Sequence, residues 1–507
     1  MEQGAGTTPP DSKRKRLIPP CVRACPAGVD VPRYIGYLEQ GKFDEAEAVV
    51  RERIPLAAVC GRVCYRPCEP MCRRGLLDVP VQINALKRAA TEYSSGRVWR
   101  ERWQDSIAPD SGRRVAVIGA GPAGLTAAYY LGKVCGHEVT VFEAAPAAGG
   151  QLYVGIPEFR LPKIVLRREM ELVCETRVKL LCNHRVESLD DLTAQGFDAV
   201  FISMGTWKSN PLDIPGVDLP AVMDGVAFLR EANLGRLTGV GDRVRVIGGG
   251  NVAIDAARVA VRLGARDVGI LYRRSRREMP ALEHETQEAE AEGMHLDFLV
   301  SPIAVEMIPD GRLRLHLQEM ELGEPDESGR RRPVPIPEAV RVELVNSVLL
   351  AIGQEADIRE EWGLGLRTGG ILRVDPETLE TDREGVFAGG DVATGPLSVI
   401  AAIGQGRLAA QSIDRYLGGD GDISETLAPS DGAMDFPSLM HPQGVAPFHM
   451  AQLGMQERLR SFTEVDLGLT TGQAMEEARR CLRCDLWQMR GVPEAWRKGQ
   501  RRGSKRA

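Results

Sequence analysis

Residues 115–124 read Val115-Ala-Val-Ile118-Gly119-Ala-Gly121-Pro122-Ala123-Gly124. Four apolar residues of a buried strand run into a glycine turn, and the Ala- and Leu-rich stretch behind it has the composition of a helix. A second apolar strand, 139–142, follows and ends in Glu143. Strand, glycine turn, helix, strand and an acid about twenty residues past the turn is the order of a dinucleotide-binding unit. Each residue has a physical reason. Gly119 permits the tight turn, Gly121 lets a pyrophosphate approach the amides at the helix start, and Gly124 allows helix to pack closely on strand. Pro122 and Ala123 complete the cofactor-binding turn, and Glu143 would accept the adenosine ribose hydroxyls.

The pattern repeats further along. A strand at 244–247 leads into Gly248-Gly-Gly250-Asn251-Val252-Ala253, a helix continues over 256–263, and a second strand covers 268–272. Where the first unit has Glu143, the second has Arg273 and Arg274, with Arg276 and Arg277 just beyond. A carboxylate there would repel a 2'-phosphate, whereas guanidinium groups bind one through charge-assisted contacts. The first site therefore suits FAD and the second NADPH, the alternative for the arginines being a solvated loop. A third stretch, Gly385-Val-Phe-Ala-Gly-Gly390-Asp391, precedes a predicted helix over 397–416. Alone it is a strand, turn and helix with a capping Asp. Beside the first fingerprint it reads as the second half of a flavin domain, with Gly390 and Asp391 on the cofactor and 348–353 as the return crossing.

Eight of the 11 cysteines fall in three tight groups: Cys21 and Cys25; Cys60, Cys64, Cys68 and Cys72; and Cys481 and Cys484. Four thiolates are the usual complement of a cubane iron-sulfur centre, so eight would serve two 4Fe-4S clusters. Disulfides and structural zinc are the alternatives, but the sequence shows no signal peptide and a chain of 507 residues needs no staples. The region to about residue 105 reads as helical, with Tyr34, Ile35, Leu38, Phe43, Ala46, Val49 and Val50 at helical spacing. Pro67 and Pro70 interrupt the 64–72 run, which puts those cysteines on loops and helix ends. A helical cap with buried thiols is the alternative to a cluster-wrapping module. Cys135, Cys174 and Cys182 are isolated and read as buried or incidental.

A formal charge of -6 argues against a nucleic-acid binder, and no apolar run reaches the about 20 residues of a membrane span. A cytoplasmic enzyme is the expectation. The basic stretches 13–16 and 497–505 read as solvated tails. Five segments are expected: a helical iron-sulfur domain, 1–108; the first half of an FAD domain, 113–240; an NAD(P)H domain, 241–350; the second FAD half, 351–420; and an irregular extension, 421–507, returning its CxxC to the cluster domain. The fold class is α/β, with two Rossmann-like domains, the second inserted in the first.

This order resembles the small (beta) subunit family of NADPH-dependent glutamate synthase, and is also similar to the N-terminal half of dihydropyrimidine dehydrogenase. The resemblance covers about residues 20–420. It rests on Val59-Cys-Gly-Arg-Val-Cys64, Gly149-Gly150-Gln151-Leu152, Gly155-Ile-Pro157, Tyr272-Arg-Arg274, Met279-Pro-Ala281 and Gly389-Gly-Asp391 together with both glycine turns. It implies that Gly150, Gln151, Leu152 and Arg160 join the cofactor site. Family members commonly carry a CxxC shortly before the position of Cys21, and this sequence does not; Cys481 and Cys484 look like that pair relocated. The resemblance then implies one cluster on Cys21, Cys72, Cys481 and Cys484 and another on Cys25, Cys64 and Cys68, with Cys60 the least secure ligand.

The implied activity is that of an NAD(P)H-dependent flavin and iron-sulfur oxidoreductase, with hydride passing from nicotinamide to flavin and electrons leaving through the clusters. No Ser/His/Asp or paired-carboxylate constellation is present, and none is required. The expected partner is a separate catalytic subunit or a ferredoxin-like electron acceptor. The alternative is a self-contained oxidoreductase acting on a small acceptor, or one exchanging electrons between ferredoxin and NADP.

Overall fold

The computed structural model describes residues 17–326, 329–430, 447–448 and 450–486. Both basic stretches, 13–16 and 497–505, lie outside the described residues. The N-terminal region is a stack of short helices, Val31–Glu39, Phe43–Arg51, Ala57–Val63, Ile83–Tyr93 and Arg97–Asp105. Asp30 caps the first by accepting from Arg33 N at 3.2 Å, and Pro32 sits in its first turn, where a missing N–H costs nothing. Tyr34, Ile35, Leu38, Val49, Val50 and Leu86 face inward to form the core of the stack. Trp103 closes its last helix, its Nε1 donating to Tyr129 Oη at 2.9 Å and docking the stack on the first nucleotide unit.

The first parallel sheet has the strand order Val386–Ala388, Ala199–Ile202, Arg114–Ile118, Glu138–Phe142, Val178–Leu181. Its central strands are buried on both faces, the pattern of a sheet covered by helices. The helix after the glycine turn, Pro122–Lys133, lies beside Val399–Tyr416. The second parallel sheet has the order Val222–Asp224, Ser347–Leu350, Arg243–Ile247, Asp267–Tyr272, His295–Phe298. Two short antiparallel strands, Lys208–Ser209 and Gln354–Glu355, form the ribbon that joins the two sheets.

The crossing into the second sheet therefore comes earlier than the boundary expected between residues 240 and 241. Val222–Asp224 pairs with Ser347–Leu350, and Phe228 and Leu229 of the next helix share a core with Val244 and Ile254. A three-stranded antiparallel sheet, Val300–Met307, Leu313–Pro325 and Arg331–Val345, extends the second unit. Leu313, Leu315 and Leu317 alternate inward along its middle strand and are fully buried.

Past Tyr416 the chain runs over the other units. Leu427 N and Ala428 N donate to Glu52 Oε1 at 3.1 and 3.0 Å, and Lys133 pairs with Glu425 in the interior. Val465 N donates to Phe159 O at 2.9 Å. The helix Thr471–Ala478 opens on a capping box, Thr470 with Gln473, and packs against Val31–Glu39 and Ile83–Tyr93.

Candidate functional site

A cavity of about 540 Å³ opens where the first glycine turn, the second glycine turn and the helical stack meet. Gly119, Gly121, Pro122 and Ala123 form one wall, and Gly150, Gln151 and Leu152 a second. Gly390 and Asp391 close the far end, and Asn251 and Val252 reach in from the second unit. The glycines divide by role. A Cβ on Gly124 would lie 2.0 Å from Gly119 O and 2.5 Å from Ser203 Oγ, so this glycine lets the helix touch the strand. A Cβ on Gly121 would meet no atom within 4 Å, and the same holds for Gly250 in the second turn. Those two keep open the space above a helix start, where backbone N–H groups point outward and an anion is favoured. Gly248 and Ala253 lie inside the second turn, away from the cavity; Gly248 sits at φ +147°, with Ala351 O just 2.2 Å from where a Cβ would be.

Glu143 is buried at the end of its strand. Its two carboxylate oxygens accept from Ala120 N at 2.9 Å and Ala145 N at 2.7 Å, while burial holds its carboxyl above the ordinary range. Burial also pushes the Asp391 carboxyl up to about 6, opposed by one hydrogen bond from Leu397 N at 3.3 Å. Gln151 Nε2 is buried with no partner among the described residues. A buried amide donor without an acceptor, beside amides facing open space, fits a polar cofactor that supplies the acceptors.

Two arginines behave differently from their sequence expectation. Arg160 lines the cavity, but its guanidinium is engaged by Asp255 at 2.7 Å and Glu285 at 2.5 Å, both on the second unit. It braces one unit against the other. Arg274 is buried, donating through Nε to Arg331 O at 2.8 Å and pairing with Asp326 at 2.6 Å, so it anchors the strand end to the antiparallel hairpin. Arg273 forms no carboxylate ion pair among the described residues, and burial with the nearby Arg274 charge lowers its pKa. Of the two, Arg273 is the exposed guanidinium.

All eight grouped cysteines are free thiols, and they segregate into two sets of four. Cys21 lies near Cys72, Cys481 and Cys484, and these four line one small pocket under Pro19 and Pro20. Cys60 and Cys68 both lie near Cys64 and Cys25. Burial pushes the thiols of Cys21, Cys60, Cys68, Cys72 and Cys481 upward, and that of Cys484 to about 12. Burial and mutual repulsion disfavour neighbouring thiolates, and a bound metal cation would supply the positive charge that offsets both. Among the described residues, the one group of at least three Cys, His, Asp or Glu ligand atoms mutually within 4.8 Å is Cys135, His137 and Asp414.

Sequence reasoning missed three features. Val63 and Tyr65, either side of Cys64, line the flavin-side cavity, so one thiol set adjoins it and the other lies beyond. Tyr34 is fully buried between the sets, near Cys68, Cys21 and Cys25, with its hydroxyl donating to Ile83 O at 2.9 Å. Lys87 is buried beside Cys25, Cys60, Cys64 and Cys68. Cys135 also proves to have company: His137 Nε2 lies 3.1 Å from Asp414 Oδ1, whose charge raises the Cys135 thiol after burial. Cys174 is exposed and Cys182 partly so.

Two dinucleotide folds opening on one cavity, with thiol sets behind it, define a nucleotide-linked oxidoreductase. Residues 113–406 match the pyridine nucleotide-disulphide oxidoreductase family, to which the chain belongs. Residues 16–99 match dihydropyrimidine dehydrogenase domain II, 4Fe-4S cluster. The NADP(+)-dependent formate dehydrogenase subunit beta of Moorella thermoacetica is 42% identical over 499 residues, 92% of this chain and 70% of that one. The NADPH-Fe(3+) oxidoreductase subunit beta of Geobacter sulfurreducens is 39% identical over 516 residues, 92% and 75% of the two chains. The glutamate synthase (NADPH) small chain of Escherichia coli K12 is 32% identical, covering 79% of this chain and 89% of that one. The structure of Mycobacterium tuberculosis FprA in complex with NADPH superposes with a TM-score of 0.51 at 21% identity, over 63% of this chain and 87% of that one, and shows the fold. The chain is thus an oxidoreductase with FAD- and NAD(P)-binding folds and a 4Fe-4S module. No described helix is long and apolar enough to cross a membrane.

Proposed function

We propose that this chain takes reducing equivalents from NADPH and passes them, through FAD and two 4Fe-4S clusters, to a separate catalytic protein in the cytoplasm. One observation carries the reading: a single cavity is walled by Gly121 of the first turn, by Asn251 and Val252 of the second, and by Val63 and Tyr65 beside Cys64. When bound, the two nucleotides and the clusters supply hydride transfer and the division of an electron pair into single electrons.

The chain's own residues hold and order these groups. Gly119, Gly121 and Glu143 would receive the adenosine and pyrophosphate of FAD, Gln151 would donate to a polar atom of it, and Asp391 would accept from its hydroxyls. Gly250, Asn251, Val252 and Arg273 would receive NADPH, and Arg160 fixes the angle between the units through Asp255 and Glu285. The Cys25, Cys60, Cys64 and Cys68 set adjoins the cavity, and the Cys21, Cys72, Cys481 and Cys484 set leads outward, with Tyr34 between them. The FAD unit then comprises 113–207 and 356–420, and the NADPH unit 210–353. A separate partner is supported by the relatives' names, which describe a subunit beta or a small chain.

Anaerobic assay of the purified chain tests this. It should carry about eight iron atoms and one FAD, bleach its flavin with NADPH and reduce artificial dyes, yet turn over no metabolite until the partner is added. Cys64→Ser should abolish the coupled reaction while flavin reduction by NADPH persists. Physiological turnover of a metabolite by the chain alone would replace this reading with a self-contained oxidoreductase.

A further inference from the structure

Lys87 lies on the helix Ile83–Tyr93, whose buried face meets the helix Ala57–Val63 that carries Cys60. The two helices touch at Gly61, where a Cβ would fall 2.9 Å from Arg88 Cα, and Asn84 Nδ2 donates to Gly61 O at 2.8 Å. Lys87 shares that face with Asn84 and Arg88 and is 7% exposed. Its ammonium makes no ion pair and no hydrogen bond to a carboxylate among the described residues. Glu69, which feels the Lys87 charge, turns its Oε1 to Asn84 N at 2.9 Å. Glu169, which faces Cys60 from the other side, is committed to Arg51 at 2.7 Å. What surrounds the Lys87 charge is the thiol set Cys25, Cys60, Cys64 and Cys68.

The outer set differs. Arg480 and Arg483 approach Cys72 and Cys481, but Arg480 is paired with Glu477 at 2.6 Å and Arg483 with Asp485 at 2.8 Å. Those two charges are largely neutralised at source, and Arg73, which bonds Cys484, is partly exposed, so solvent screens its charge. A buried cation without a carboxylate is unfavourable unless an anion stands beside it, and a cubane held by four thiolates is such an anion.

We propose that Lys87 is the residue that sets the reduction potential of the inner thiol-bound centre, holding it above that of the outer one. The inference rests on the assignment of two cluster sites. Uptake of one electron adds one negative charge to the centre, and an uncompensated ammonium in a low-dielectric interior stabilises that reduced state. The inner centre then becomes the first stop for electrons leaving the nucleotide cavity. Lys87 touches neither nucleotide; it is a positioning charge for the centre.

The test is an anaerobic redox titration of the full chain followed by electron paramagnetic resonance, comparing wild type with Lys87→Met, Lys87→Gln and Lys87→Arg. The expected result is two reduction waves in wild type, with the higher-potential wave moved negative in the Met and Gln variants, the other unmoved, and the Arg variant near wild type. Loss of inner iron in Met and Gln but not in Arg would equally support a required charge. Unmoved waves, equal movement of both, or iron loss in all three variants would overturn the proposal in favour of a packing role. A wild-type chain with fewer than two signals would instead overturn the assignment of cluster sites on which it rests.

Discussion

Gln82 donates its backbone N–H to the Glu477 carboxylate at 2.9 Å, across 395 positions of chain. Glu477 is completely buried and also takes Arg480 Nη1 at 2.6 Å, so one carboxylate ties the C-terminal helix to the helical stack. Glu477→Ala leaves the buried Arg480 guanidinium with Asp78 at 3.1 Å as its remaining counter-ion, a loss of up to about 3 kcal/mol. The expected outcome is release of Cys481 and Cys484 from their set, with bound iron falling to about half and FAD retained. Iron-to-flavin ratios on the purified variant check this; an unchanged ratio would contradict it.

Gly124 and Gly121 are expected to fail in opposite ways. Gly124→Ala drives a methyl into Gly119 O, and overpacking of this kind costs about 1–3 kcal/mol or more. That variant should melt lower even without cofactor. Gly121→Ala meets no protein atom, so it should melt like wild type while losing FAD. Thermal denaturation and flavin content, measured together, separate the two.

Arg273 and Arg274 are neighbours with different tasks. A charge-assisted contact is worth about 1.5–3 kcal/mol, so Arg273→Ala should weaken NADPH by about ten- to a hundredfold and NADH little. Arg274→Ala should lower the melting temperature and affect both coenzymes alike, because it frees Asp326 and Arg331 O. Stopped-flow flavin reduction with each coenzyme is the measurement. A coenzyme-independent loss in Arg273→Ala would assign that residue to structure.

Asp391 gives a pH dependence with a definite sign. Its carboxyl is raised to about 6, so the free chain holds a proton there that FAD binding must expel if the carboxylate accepts from cofactor hydroxyls. The FAD dissociation constant should be flat above about pH 6 and rise by up to about tenfold per unit below it. Asp391→Asn should flatten the curve. In the flavin-free chain the ionised form is the disfavoured one, so stability should fall as pH rises from about 4 to about 6. A binding curve equally steep in wild type and Asp391→Asn would place the titration elsewhere.

Both glycine turns were legible because their chemistry is local: strand, turn and helix are contiguous, and only glycine suits a position such as 124. The grouped thiols were legible for the same reason, although spacing alone did not divide them into two sets; only the family resemblance implied that division, since Cys72 and Cys481 meet only after folding. Arg273 and Arg274 look equivalent in sequence; what separates them is Asp326 and the Arg331 carbonyl, delivered by a hairpin more than fifty positions away. The expected boundary at 240 followed the second fingerprint, whereas Val222–Asp224 is recruited by a strand more than a hundred positions later. Lys87 was hidden because a helical pattern shows which face is buried, not which charge the interior tolerates.

The outer thiol set draws on both arms of the chain: Arg74 Nη1 meets Arg480 O at 3.3 Å, across 406 positions. Translation supplies Cys21 and Cys72 early, and Cys481 and Cys484 only after both nucleotide units have left the ribosome. A nascent or prematurely released chain can therefore fold two sound nucleotide pockets while its outlet stays unbuilt. Under the proposed route such a fragment could pass electrons no further than the inner set, leaving dissolved oxygen as the default oxidant. On that reading, the outlet closes only when the C-terminal cysteines arrive.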